Sequence, residues 1–165
     1  MTEEARPSAV TEWFWLAVLA MALFAGCLAL DTRHNGFPYF YHPDESAKVD
    51  QVLTGEWNFH HPMLLLSATT VAVETRGVAR SDQQVVEAGR WISAAFVAGA
   101  VVALALLAFA WRGWTASLAA GGALLLHHQL FELAHYMKED SALLFGMALT
   151  FLMTYAFSCG RCRMI

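Results

Sequence analysis

Apolar and polar positions alternate in long blocks along this chain, with none of the short periods of a soluble domain. Trp13 to Leu30 is an uncharged apolar run, Ile92 to Ala110 is a second, and Ser141 to Cys159 is a third. Between the last two, Thr115 to Phe131 is also apolar, broken only by His127, His128 and Gln129. A helix needs about 20 apolar residues to cross a hydrocarbon core of about 30 Å. The pattern therefore predicts an all-α membrane protein, a single membrane domain with four spans at about 13–30, 91–111, 115–132 and 141–158. Trp13, Trp15, Trp91, Trp111 and Trp114 mark the run ends, where indole rings favour the headgroup layer.

The segment between the first two runs, 31–90, predicts a long outer loop with short juxtamembrane helices. Asp31 to Pro43 holds Gly36, Pro38 and Pro43 and is irregular. Asp44 to Leu53 reads as a short helix, opened by Pro43 and closed by Gly55, with Val49, Val52 and Leu53 facing protein or membrane. Met63 to Val73 is too short to span and predicts a helix lying at the interface. Ser81, with Gln84 three residues on, is a capping box for a helix that runs into the second span.

Composition agrees. Hydrophobic residues make up 58% and charged ones only 15% of 165 residues, against about half and about a quarter in soluble domains. The net charge of -4 comes without a basic tract, which excludes nucleic-acid binding. Before the first run stand Glu3, Glu4 and Glu12 against Arg6, the wrong sign for a cleaved signal, so the run reads as an uncleaved anchor. Arg6, Arg112, Arg161 and Arg163 then lie on one side, which predicts a cytoplasmic N-terminus in a plasma, inner or endoplasmic-reticulum membrane. The lone Cys159-x-x-Cys162 pair, without a second pair, gives little support to zinc or redox chemistry.

Three groups could carry chemistry. Asp44-Glu45 begins a helix whose positive end favours their charge, which suits a general base. The plainer alternative is capping plus an Asp44–Lys48 ion pair at i, i+4. Lys138-Glu139-Asp140 lies, by span parity, on the same face, and its plainer alternative is a solvated turn with Asp140 capping the last helix. His128, Glu132, His135 and Glu139 recur at steps of four, three and four, which predicts one polar helical face lining a hydrated cavity. A di-metal centre would need a second Glu-x-x-His, which the chain lacks. Haem ligation is disfavoured because His127 and His128 are neighbours that point apart. There is no phosphate loop, nucleophile elbow or H-E-x-x-H.

The order of motifs carries more than any one of them. An anchor leads to Tyr41-His42-Pro43-Asp44-Glu45, then Gly55, then Phe59-His60-His61-Pro62 and Met63-Leu64-Leu65-Leu66, then Gly89-Arg90 at the second span and Lys138-Glu139-Asp140-Ser141 before the fourth. This order resembles the GT-C membrane glycosyltransferases, in the branch of protein O-mannosyltransferases and lipid A aminoarabinose transferases. The resemblance runs from about Trp13 to Phe157. It implies a sugar donor on a polyprenyl or dolichyl phosphate and an acceptor hydroxyl on a protein, lipid or glycan, with transfer on the extracytoplasmic side. It implies Asp44 as catalytic base with Glu45 beside it, and Asp140 and His61 in the substrate cavity. Arg90 and Lys138 are the cations available for the leaving phosphate. No cofactor is required by these motifs, a divalent cation being the one addition the resemblance admits. Members of that family carry a longer helix bundle, so the chain reads as the N-terminal part of such an enzyme, inactive alone. The reading from another class is a small four-span interaction or assembly protein without catalysis, in which Asp44 and Asp140 only cap helices.

Overall fold

The computed structural model describes residues 9–57, 63–76 and 81–159, and within them every regular element is a helix. In chain order these are α1 (Ala9–Asp31), α2 (Pro43–Thr54), α3 (Met63–Arg76), α4 (Asp82–Arg112), α5 (Trp114–Leu125), α6 (His128–His135) and α7 (Asp140–Ser158). Helices α1, α4 and α7 are long and apolar enough to cross a membrane. At about 1.5 Å per residue they measure about 34, 46 and 28 Å. Side chains exposed on α1 and α7 include Phe14, Met21, Phe151 and Phe157, the outward face of a membrane-embedded protein.

The axis of the fold is α4, which packs against every other helix. Its 31 residues exceed what a bilayer core needs. Its first turns therefore stand beyond the apolar part of the bundle, where α2, α3 and the 32–42 loop surround them. Ser81 caps it, its Oγ accepting from the Gln84 N–H at 3.4 Å. Small residues line the face of α4 that the other long helices meet: Ala94, Val97, Ala98 and Val101 pack with Cys27, Leu28 and Ala134, while Ala100 and Ala103 pack with Ala148 and Leu152. Close approach of this kind replaces the hydrophobic effect as the source of cohesion inside a bilayer.

The predicted span 115–132 is not one helix. Helix α5 stops after 12 residues, about 18 Å, the chain turns at Leu126 and His127, and α6 begins at His128. The break lets Leu124 and Leu125 before it, and Leu130 and Leu133 after it, reach the same surface of α4. It leaves His127, His128 and Gln129 exposed. Between them α5 and α6 return the chain along α4. Ser117 of α5 donates to the Ala105 carbonyl near one end, and Ala134 of α6 is buried beside Ala94 and Val97 nearer the other. The turn into α5 is made by Gly113, at φ 77°, a conformation that favours glycine.

The short helices between α1 and α4 form as their residues require. Pro43 sits at the first position of α2, and Gly55 ends it at φ 72° with its N–H on the Gln51 carbonyl. Val49 and Val52 are buried, with Leu53 packed beside them, against Leu65, Leu66 and Val73 of α3 and Val85 and Val86 of α4. Helix α3 continues past the expected Val73 to Arg76.

Candidate functional site

Two carboxylate–cation pairs lock one end of the bundle. Glu45 and Arg90 are both fully buried and meet through two bonds, Nε to Oε1 at 2.9 Å and Nη2 to Oε2 at 2.6 Å. Nη1 of Arg90 donates to the carbonyls of Asn35 and Phe37 at 2.8 and 2.6 Å, and Nη2 to that of Pro38 at 3.2 Å. Those bonds occupy all five N–H groups of a guanidinium. Glu45 Oε1 also accepts the Met137 N–H at 2.8 Å. A carboxylate on α2 thus fixes an arginine on α4, the arginine fixes three carbonyls of the irregular loop, and the same carboxylate holds the α6–α7 connection. The second pair is Lys48 with Glu139, 2.5 Å apart, and Lys48 also donates to the Met137 carbonyl at 3.1 Å.

Aromatic rings pack over this network. Phe37 lies between the Arg90 guanidinium, 3.4 Å from its centroid, and the stacked ring of His135 at 5.2 Å. His135 ties α6 to α1 through a 3.0 Å hydrogen bond between its Nδ1 and the Asp31 carbonyl. Tyr136 is extended, with φ -113° and ψ 159°. It packs on Phe37 at 5.6 Å and on His42 at 4.9 Å.

On the outside of the lock lie the groups left for chemistry. The Asp44 side chain is 63% exposed, one residue from the fully buried Glu45. Its backbone N–H donates to His42 Nδ1 at 3.3 Å, so the imidazole caps α2, and its carboxylate stands 3.9 Å from that nitrogen. Lys138 Nζ lies 5.6 Å from the Tyr136 ring and has no carboxylate partner among the described residues. Asp44, His42, Tyr136 and Lys138 therefore form a continuous patch, and the exposed Asp140 opens α7 two residues further on. The topological expectation that the Asp44-Glu45 and Lys138-Glu139-Asp140 segments share a face is met, since Glu45 contacts Met137 across 92 residues.

Several expectations are corrected. Lys48 does not pair with Asp44 but with Glu139. Arg90 has no donor free for a phosphate, because Glu45 and three carbonyls use all five. Glu139 does not continue the His128–Glu132–His135 face. Helix α6 ends at His135 because the Met137 and Lys138 N–H groups turn to Glu45 and to Ser93 Oγ. Of that face, only His128 and Glu132 pair, at 3.5 Å, and both are exposed. Asp140 does not cap α7, where the cap position is Glu139 and no side chain bonds the first turn. His61 lies outside the described residues, as does Cys162. His42 and Tyr136 were not singled out from the sequence, although His42 carried a signal in standing just before Pro43 at a helix start.

Among the described residues no three His, Cys, Asp or Glu side chains gather as a metal site would need.

No family model, curated protein or solved structure matches the chain. What the patch does must be argued from its own chemistry, and its division of labour is clear. Glu45, Arg90, Lys48 and Glu139 hold the architecture, while Asp44, Asp140 and Lys138 lie outside the lock.

Proposed function

We propose that this chain is part of a GT-C-like glycosyltransferase, moving a sugar from a polyprenyl or dolichyl phosphate to an acceptor hydroxyl at the extracytoplasmic face, with Asp44 as base. The observation that carries the reading is the contrast within one dipeptide. Glu45 is buried and bonded on both oxygens, whereas Asp44 is exposed, free of Lys or Arg among the described residues, and held at a helix start on the patch that also presents Lys138. In the reaction Asp44 takes the hydroxyl proton as the acceptor oxygen bonds to the anomeric carbon. The bond from that carbon to the phosphate oxygen breaks, and its electron pair leaves with the phosphate. Lys138 meets the charge that develops there. Attack opposite the leaving group inverts the sugar. In this reading the phosphate role belongs to Lys138 alone, and Arg90 positions the dipeptide through Glu45.

The same proposal runs α5 and α6 together as a broken third crossing and places Arg112, at the far end of α4 from Asp44, in the cytoplasm. A broken crossing is tolerated where neighbouring helices satisfy the freed backbone groups.

The test is photolabelling of the membrane-reconstituted chain by a photoreactive polyprenyl-phosphate sugar, with transfer to an added acceptor measured in the same vesicles. Labelling should saturate, weaken in Lys138→Ala and persist in Asp44→Asn, and any transfer should vanish in Asp44→Asn. Labelling that never saturates, or transfer that survives Asp44→Asn, overturns the proposal.

A specific observation favours a second reading, a four-span assembly protein without catalysis. Between α3 and α7 runs an open apolar groove of about 460 Å³, lined by Leu64, Leu143, Gly146, Met147, Thr150 and Phe151. A Cβ on Gly146 would meet nothing within 4 Å. A small residue in an open groove is how one membrane helix admits another. On that reading Asp44→Asn changes nothing.

A further inference from the structure

At the end of the bundle opposite Asp44, a second groove of about 400 Å³ runs between α1 and α5. It is lined by Glu12, Trp15, Val18, Ala22, Trp114 and Leu118, among others. From Glu12 to Ala22 it follows ten residues of α1, about 15 Å. Its walls are apolar apart from the mouth. There Glu12 lies half-exposed in the first turn of α1, whose positive end favours a negative charge. Among the described residues Glu12 has no cation or hydrogen-bond donor. Two indoles, Trp15 and Trp114, share the lining with it. Arg112, two residues before Trp114, is exposed at the same end, lies over the Trp111 ring at 5.1 Å and has no carboxylate partner among the described residues.

We infer that this groove binds a single phospholipid with a zwitterionic, ammonium-bearing headgroup. Its ammonium meets Glu12 between the two indoles, its phosphate meets Arg112, and one acyl chain lies along Val18 and Ala22. The charge order decides the occupant. An anionic headgroup would bring its charge against a carboxylate that has no cation among the described residues. A bare hydrocarbon chain would leave Glu12 unpaired at the edge of the bilayer, where an unpaired charge is costly. A cation enclosed by a carboxylate and aromatic faces gains from both. This site is independent of the glycosyl-transfer reading, because it shares no residue with the Asp44 patch.

The experiment is native mass spectrometry of the detergent-purified chain, delipidated and offered equal concentrations of phosphatidylethanolamine and phosphatidylglycerol, with phosphatidylcholine in a parallel run. Both ammonium lipids should be retained about tenfold over phosphatidylglycerol. Glu12→Gln should abolish that preference and Glu12→Lys should reverse it. Trp114→Ala should lower retention of the ammonium lipids alone. Circular dichroism identifies any variant that fails to fold, and the wild-type preference stands as a test without variants. Equal retention of the lipids by the wild type, or a preference unchanged in folded Glu12→Gln, overturns the inference.

Discussion

Replacing Arg90 by Met tests the lock directly. The change keeps an unbranched, apolar stem of similar length and deletes the guanidinium. Glu45 then loses two charged bonds and keeps only the Met137 N–H, while the Asn35, Phe37 and Pro38 carbonyls lose their donors. Removing one partner of a buried ion pair costs about 3–5 kcal/mol. Both side chains here are fully buried, so a value well inside that range, about 4 kcal/mol, is expected. Glu45→Leu alone strands the guanidinium and should cost about 3 kcal/mol for the same reason. The double variant strands neither charge, so its cost should fall near the larger single one. The coupling between the two positions is then about 3 kcal/mol. Arg90→Lys should rescue little, since an ammonium has three donors where five are used. The assay is reversible unfolding in mixed micelles followed by near-ultraviolet circular dichroism, with trypsin cleavage after the exposed Arg33 as a local reporter. If Arg90→Met unfolds within about 0.5 kcal/mol of the wild type and its Arg33 bond is cut no faster, Arg90 does not hold the 32–42 loop. Glu45 would then not be fixed, and it would be as free as Asp44 to face outward.

Further outcomes follow from the same contacts. Gly89→Ala puts a methyl 2.6 Å from Cγ of the fully buried Met137 and should cost about 1–3 kcal/mol in the same unfolding assay. Gly146→Ala meets nothing within 4 Å and should be neutral or stabilising by up to about 1 kcal/mol, and a loss there would show that the α3–α7 groove is already filled. Lys48→Met removes one partner of Glu139 and should cost about 3 kcal/mol. Adding Glu139→Gln should recover part of that, and full additivity would mean the pair is not formed. Asp44→Asn, exposed and without a Lys or Arg partner among the described residues, should leave the unfolding free energy within about 0.5 kcal/mol of wild type, so that any loss of transfer in that variant reports chemistry rather than folding.

What could be read from the sequence divides along physical lines. Helices α1, α4 and α7 are each built on one uninterrupted apolar run, so length and hydropathy suffice to find them. Helix α2 announces itself through Pro43 and Gly55, residues whose backbone preferences act locally. The α5–α6 break and the end of α6 are decided elsewhere. A spacing of four, three and four from His128 to Glu139 fits one helix, but Met137 and Lys138 give their N–H groups to Glu45 and Ser93, partners 92 and 45 residues away. Lys48 is similar. Its distance from Asp44 suits an i, i+4 pair worth a few tenths of a kcal/mol, whereas a buried contact with Glu139 involves larger energies.

One signal for the lock was nonetheless present. Arg90 stands immediately before an apolar run, where a guanidinium must find a carboxylate, and the one nearest to it in sequence, Glu87, accepts from Gln83 instead. Once it does, that carboxylate cannot also serve as an exposed base. A charge at the edge of a membrane span therefore constrains which member of an Asp-Glu pair is left for chemistry. Here the buried member is Glu45, so it is the shorter side chain of Asp44, beside the His42 cap, that faces out of the fold.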